Sequence, residues 1–427
     1  MIPEPYLRPG AVRQSVHTIM VAALMLFGLA TNHIAAADAA FTQFLASLWP
    51  QAQALGISRE TFETATRGLE PDYSLPDLAV PGRAEAPSRG QAEFIQTPAD
   101  YLKETNIARL AAQGARLARE HAATLAAIER RFGVPGNVVL AIWGRETDFG
   151  AEKQAHNALR VLATQAYVGK RRDMFRQEFL LALKMLQDGN ARLSDMRSSW
   201  GGAMGLTQFL PSEFYKHAVD FDGDGRADIW TSVPDALASA AKQLADKGWQ
   251  PGLRWAYEAR APRGFDCTLG VPEATRPIGD WVRAGFTPAY GRRLKAEELA
   301  EPASVVQPEG IYGPSFLATK NYFVIKEYNF SDLYVLFVGH VSDRISDPRH
   351  FETPWSQTAL MRTVDVEAMQ KAMTARGLYH DKIDGKAGML TRAALGAYQK
   401  GNALTLDCWP TAAVLEHMRG HPIAAAR

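Results

Sequence analysis

The chain has 427 residues, enough for two or three domains and a large core. A net charge of +1 excludes a nucleic-acid binder that works by bulk electrostatics. Its only cysteines, Cys267 and Cys408, stand in no metal-ligand spacing, and the sequence leaves open whether they pair.

Residues 1–39 read as an export signal. Arg8 and Arg13 precede an apolar run from Ile19 to Ala30 that is short for a membrane span, and small residues at Ala35, Ala37 and Ala39 offer cleavage sites. An uncleaved anchor is the other reading; no cysteine lies just after the run, which argues against a lipid-anchored form. Residues 40–69 form a helical segment with Ser58 as an N-cap, although Thr61 stands where a capping box wants an acid or its amide. Tyr73 to Gly90 is irregular, and helical patterns dominate from Tyr101 to Ala245. The stretch 250–310, rich in Pro, Gly and Arg, suits a few short strands. A helix returns at Ser331–Ile345 with Ser331 as N-cap. The segment "SDPRHFETPWSQ" then reads as a linker, 346–360, to a compact tail at 361–420.

Within the helical region, "VVLAIWGRETDFG" places a carboxylate on a greasy face. Val139, Ile142, Trp143 and Glu146 fall within an arc of roughly 100°. Pro135 and Gly136 suit the start of this helix and Gly150 its end, which puts Glu146 in the last turn. Burial and the carbonyl end of a helix both disfavour the anion, and a general acid needs its proton. A structural pair with Arg145 is the competing reading. Further on, "SSWGGAMGLTQFLPSEFY" sets Gly201, Gly202 and Gly205 for close backbone approach and gives Gln208 at an apolar helix start; alone it is a glycine-rich packing site. In "NYFVIKEYNFSDLY", Tyr328, Asn329, Ser331 and Tyr334 suit stacking on sugar faces and bonding to hydroxyls, or equally a core with a cap.

The ordered set "GRETDFG", "GKRRDMFRQEF", "SSWGGAMGLTQFLPS", "DFDGDGRADIW", "GWQPG" and "FVIKEYNFSDLY" resembles the lytic murein transglycosylases of the membrane-bound B type, over roughly residues 40–345. The resemblance implies a mainly α fold: a goose-lysozyme-like helical core with a small mixed insertion and a deep glycan groove. It implies cleavage of the β-1,4 bond between MurNAc and GlcNAc in peptidoglycan with formation of 1,6-anhydroMurNAc, in the periplasm, with no cofactor for the chemistry. Partners would be glycan strands and their peptide stems, and other cell-wall enzymes. Carried over by motif, Glu146 is the acid and then the base. Gln208 contacts the sugar beside it, Ser199 lines the cleft, and Tyr328, Asn329 and Tyr334 form the "YN" motif with the tyrosine facing the acid. Arg171 and Arg172 match an arginine pair for the peptide stem, and Tyr101 a ring further along the groove; alone, the arginines read as a solvated helix end.

A water-using muramidase and a non-catalytic wall-binding scaffold are the rivals; intact Glu146, Gln208, Tyr328 and Asn329 argue against the scaffold. A hydrolase normally needs a second carboxylate. Asp148, two residues on, would lie about 200° round a continuing helix, and Glu178 and Glu213 sit in patterns of solvated faces.

In "DFDGDGRADIW", Asp220, Asp222 and Asp224 take positions 1, 3 and 5 of an EF-hand-like loop, with Gly225 at 6 and the Arg226 carbonyl at 7. Position 12 is Thr231 instead of a glutamate; the family's longer loop implies Asp235 as the closing ligand of a structural Ca²⁺. A loop of Asx-turns without an ion is the other reading. The tail resembles a three-helix peptidoglycan-binding module, with a turn at Asp384-Gly385 and a helix from Thr391 through Arg392, Ala393 and Tyr398. As such it anchors and does no chemistry, so a chain ending near Ile345 should still cut soluble glycans; a plain helical appendage is the alternative.

Overall fold

The computed structural model describes residues 39–80, 95–356 and 359–421. The export signal falls almost wholly outside them. Among the described residues no helix is long and apolar enough to cross a membrane. They form two compact units.

The first unit comprises residues up to 80, 154–204 and 210–212. Its main helices, Ala158–Val168 and Arg172–Gln187, pack side by side and bury Leu159, Leu162, Phe175, Phe179 and Leu183. Asn157 starts the former by accepting from the Arg160 amide at 2.9 Å. Ser58 caps Arg59–Thr66 as expected, and the Thr61 hydroxyl, 3.0 Å from Ser58 Oγ, stands where the acid of a capping box would be.

The second unit holds the other described residues. Helix Glu104–Glu120 buries Ile107, Leu110, Ala111, Gly114 and Leu117, the spacing of one helix face. At Gly114 a Cβ would lie 2.8 Å from Ile345, so its absence lets this helix close on helix Asp332–Ser346. These two pack with helix Gly136–Thr147 around Leu140, Ile142, Leu336 and Val338. The helix of Glu146 ends at Thr147, short of Gly150: Asp148 and Phe149 turn left-handed at φ 50° and 56°. The Phe149 ring folds back edge-on to Trp143 at 5.5 Å and fills the space beside Gly144.

The strands expected in 250–310 form an antiparallel sheet that runs on to residue 318. Its order is Arg276–Pro277, Pro302–Val306, Ser315–Ala318, Ala256–Arg260, Thr287–Pro288. One face covers a satellite core of Tyr257, Ile278, Trp281, Phe286, Val305 and Leu317.

The tail is three helices, Thr363–Ala375, Met389–Gly401 and Ala412–Gly420, the second starting two residues before Thr391. Gln370 organises its turn: the amide nitrogen donates to Asp384 Oδ1 at 3.0 Å, and the oxygen accepts from the Asp384 and Gly385 amides at 3.0 and 2.8 Å. Two features tie this tail down. Cys267 and Cys408 form a disulfide with Cα atoms 6.1 Å apart, joining the tail to the chain beside the sheet. The stretch 346–360, expected to be a linker, is docked over 351–356. Phe351 lies 3.8 Å from the His340 ring and 5.1 Å from Phe316, and Glu258 accepts from the Glu352 and Thr353 amides at 2.8 Å each. Over those residues it is a strap.

Candidate active site

Glu146 stands in the last turn of helix Gly136–Thr147, half-buried. Tyr334, in the first turn of the helix that Ser331 caps, donates its hydroxyl to Glu146 Oε1 at 2.5 Å. Burial holds the Tyr334 phenol well above its ordinary value, and the neighbouring Glu146 adds to this, so Tyr334 is a neutral donor throughout the physiological range. Tyr328 lies parallel to Tyr334, ring centroids 6.3 Å apart at 9°, and donates to the Thr207 carbonyl at 2.7 Å. Asn329 follows on the same turn, half-buried, its carbonyl accepting from the Ser331 amide at 2.8 Å.

The Gly205–Gln208 turn completes this side. Gln208 does not begin a helix; the next one starts at Pro211. Gln208 adopts φ 57°, and its Nε2 donates to the Gly205 carbonyl at 3.1 Å. A Cβ at Gly205, φ 77°, would meet the Ile229 carbonyl at 2.7 Å, so only glycine allows the approach. Thr147, next to Glu146, donates to the Leu206 carbonyl at 2.7 Å. The turn is thus bonded to the acid's helix at one side and to Tyr328 at the other. Thr147 and Thr207 were not legible as site residues, since nothing in their local spacing names these partners.

Arg145 directs Nε and Nη2 to the Tyr101 hydroxyl at 3.1 and 2.8 Å, with its guanidinium over the Tyr101 and Phe337 rings. Burial works against its charge, but Tyr101 and then Glu146 outweigh burial and hold it above its ordinary value. Tyr101 is 6% exposed and packs edge-on to Phe337, so the face expected to stack on a sugar is covered. The short helix Pro98–Tyr101 turns that ring inward, a tertiary outcome that its motif does not encode.

The carboxylates considered as second catalytic groups are engaged elsewhere. Asp148 pairs with Arg109 at 2.7 Å. Glu178 and Glu213 are not solvated as their patterns suggested. Glu178 is 5% exposed and accepts from the Ser212 amide at 2.9 Å. Glu213 meets Lys216 at 3.1 Å, His217 at 3.3 Å and Gln243 at 3.0 Å; the His217 bond leads in lowering its carboxyl to about 2.

The family described as the Transglycosylase SLT domain matches residues 40–343. SltB3 from Pseudomonas aeruginosa, solved in complex with NAG-NAM-pentapeptide, is 35% identical at a TM-score of 0.79, covering 89% of this chain and 99% of that one. This chain is a B-type lytic transglycosylase. It is also similar to the membrane-bound lytic murein transglycosylase B of Escherichia coli (strain K12), 29% identical over 223 residues; the match spans 50% of this chain and 58% of that protein. Soluble SltB1 from Pseudomonas aeruginosa shares the fold, with a TM-score of 0.57 at 23% identity over 72% of this chain and 99% of that one. The fold class is the expected one, mainly α with a lysozyme-like core, a small sheet and C-terminal helices.

In this transglycosylase the remaining predicted residues are distributed as follows. Ser199, Arg171 and Arg172 belong to the first unit. Ser199 is half-buried in a turn, its amide donating to the Ala203 carbonyl at 2.9 Å. Arg171 and Arg172 are exposed where helix Arg172–Gln187 begins, and Arg171 lies over the Phe175 ring.

The aspartate loop belongs to the second unit. Asp235, fully buried near the start of helix Val233–Asp246, accepts from the Phe221, Asp222 and Asp228 amides at 2.8, 3.2 and 2.8 Å. Burial nevertheless raises its carboxyl above the ordinary range. One oxygen each of Asp220, Asp222 and Asp235 lies within 4.8 Å of the others. Asp224 is exposed and accepts from the Arg226 amide at 2.9 Å. Thr231, at position 12, donates its hydroxyl to Asp228 Oδ2 at 2.6 Å.

Proposed function

We propose that this chain cuts the β-1,4 bond between MurNAc and GlcNAc and leaves a 1,6-anhydroMurNAc end, with Glu146 as acid and then base. The observation that carries the reading is the Tyr334–Glu146 bond at 2.5 Å, which fixes the carboxyl beside the Tyr328-Asn329 turn and the Gln208 turn. Glu146 gives its proton to the leaving GlcNAc O4 as the C1–O4 bond breaks. The muramoyl C6 oxygen then bonds to C1, and its proton passes to the ionised Glu146. Atoms balance without water. Tyr334 donates to the carboxyl in both halves, and Tyr328, Asn329 and Gln208 bind the sugar.

Support for the substrate class comes from SltB3, solved with NAG-NAM-pentapeptide and, at a TM-score of 0.78, with NAG-anhNAM-pentapeptide. On this reading Arg171 and Arg172 hold the peptide stem and Ser199 lines the cleft. The catalytic domain is 40–345 and the wall-binding module 361–420, and the enzyme works in the periplasm, where its substrate lies. Soluble fragments from digested sacculi should be lighter by one water than hydrolysis products in a mass spectrum; a ladder of hydrated fragments contradicts the reading.

The aspartate loop suits a calcium ion. Asp220, Asp222 and the buried Asp235 offer converging oxygens, with Asp224 and the Arg226 carbonyl as the further ligands that the spacing provides. The ion would supply stability and no chemistry. A ligand bound only by the native state at a hundredfold excess over Kd stabilises by about 2.7 kcal/mol. The thermal midpoint should therefore rise between chelator and millimolar calcium, and an unchanged midpoint leaves the loop a bare turn.

A further inference from the structure

The helix of Tyr334 begins at Asp332, and three groups grip that carboxylate. Oδ1 accepts from Lys326 Nζ at 2.5 Å and from the Tyr322 hydroxyl at 3.0 Å. Oδ2 accepts from Arg392 Nη2 at 3.0 Å, and Arg392 belongs to the tail helix Met389–Gly401. The Arg392 and Asp332 side chains are only 9% and 8% exposed. The other arm of Arg392 donates to the Ala387 carbonyl at 2.6 Å, so one planar guanidinium is fixed to the tail's turn and to the active-site helix together. Met389 sits in the main core, its sulfur 3.9 Å from Lys326 Nζ.

A wall anchor needs none of this. Burying an ion pair strips both ions of water, and their attraction offsets that loss only where geometry is well fixed. The placement explains what is being fixed. Lys326 ends helix Lys320–Lys326, Asp332 begins the next, and the turn between them carries Tyr328 and Asn329. Burial acts to raise the Asp332 carboxyl, but Lys326 and Arg392 outweigh it and hold the group well below the ordinary range. The clamp is therefore charged at any working pH.

We propose that the tail is a positioning element of the active site: Arg392, through Asp332, sets Tyr328, Asn329 and Tyr334 against Glu146. The proposal rests on the site reading above and goes beyond it. It also revises the expectation that a chain ending near Ile345 keeps its activity, since that chain lacks Arg392. Arg392 is not what holds the tail on. The far end of the same helix is fastened separately, by Lys400 on Asp266 at 2.7 Å, and the segment after it by the Cys267–Cys408 disulfide.

The test uses the full chain on soluble glycan oligomers for kcat and KM, and on sacculi for pull-down. Arg392→Met should lower kcat roughly 10- to 100-fold, the scale of a slightly misplaced catalytic geometry, and raise KM for the glycan through the displaced Tyr328 and Asn329, with pull-down and far-UV circular dichroism unchanged. Arg392→Lys, which keeps a charged donor, should recover part of that loss, and Lys400→Met should leave kcat at the wild-type value. Wild-type kcat in Arg392→Met overturns the proposal, as does an equal loss in Lys400→Met, which would mark general loosening of the tail. Should Arg392→Met fail to fold, Asp332→Asn, of the same shape, carries the same expectation, and wild-type kcat there overturns it. Glu146→Gln is assayed alongside: wild-type turnover in that variant sinks the site reading, whereas a dead Glu146→Gln beside a fully active Arg392→Met sinks only the clamp.

Discussion

Replacing Glu146 by Gln is expected to lower cleavage by roughly 10²-fold or more, the scale of a positioned general acid. The variant keeps the size of the side chain and an oxygen that can accept from Tyr334, so the bond at 2.5 Å has a counterpart. It has no proton to give the leaving sugar oxygen and no carboxylate to take one back. Fold and thermal midpoint should therefore stay at wild-type values while release of soluble fragments stops. Turnover near wild type, with normal circular dichroism, would remove Glu146 as the acid.

Tyr334→Phe should have the next largest effect. The ring stays, and with it the stacking on Tyr328, but Glu146 Oε1 loses its donor in a site where Tyr334 is 1% exposed. A hydrogen bond to a charged group contributes about 1.5–3 kcal/mol, which corresponds to a fall in kcat of roughly 10- to 100-fold. Because the bond acts on the acid and not on the sugar, KM should barely move. Steady-state kinetics on soluble glycan fragments decide it: an unchanged kcat, or a loss confined to KM, contradicts the role given to Tyr334.

Much of this site is readable from local chemistry. Ser331 caps the helix of Tyr334 because a hydroxyl ahead of an apolar run satisfies the first free amides, here the Leu333 amide at 3.2 Å. Glu146 keeps company with the apolar stripe because helical spacing put it there. What stayed hidden depends on partners distant in sequence. Tyr101 is turned into the core onto Arg145, 44 residues away. Glu178 is buried and accepts from the Ser212 amide, 34 residues on. Glu213 is different: Lys216 and His217 stand at i+3 and i+4, the spacing of helix ion pairs, so that network is written in the local sequence. The docked strap and the disulfide across 141 residues could not be reached from spacing at all.

In the proposed reaction the substrate's own C6 hydroxyl, not water, closes the ring. A hydrolase sets a second carboxyl across the bond, about 5–5.5 Å from the first for retention or 6.5–9.5 Å for inversion. Asp148 and Glu213 are instead held by Arg109 and by Lys216 with His217. A tethered hydroxyl reaches effective molarities of roughly 10⁵–10⁸ M, which lets a weak nucleophile outrun solvent. Digestion of sacculi in H₂¹⁸O tests this most directly. Anhydro-ended fragments should carry no heavy oxygen at the muramic C1; label at that carbon in most fragments would establish hydrolysis instead.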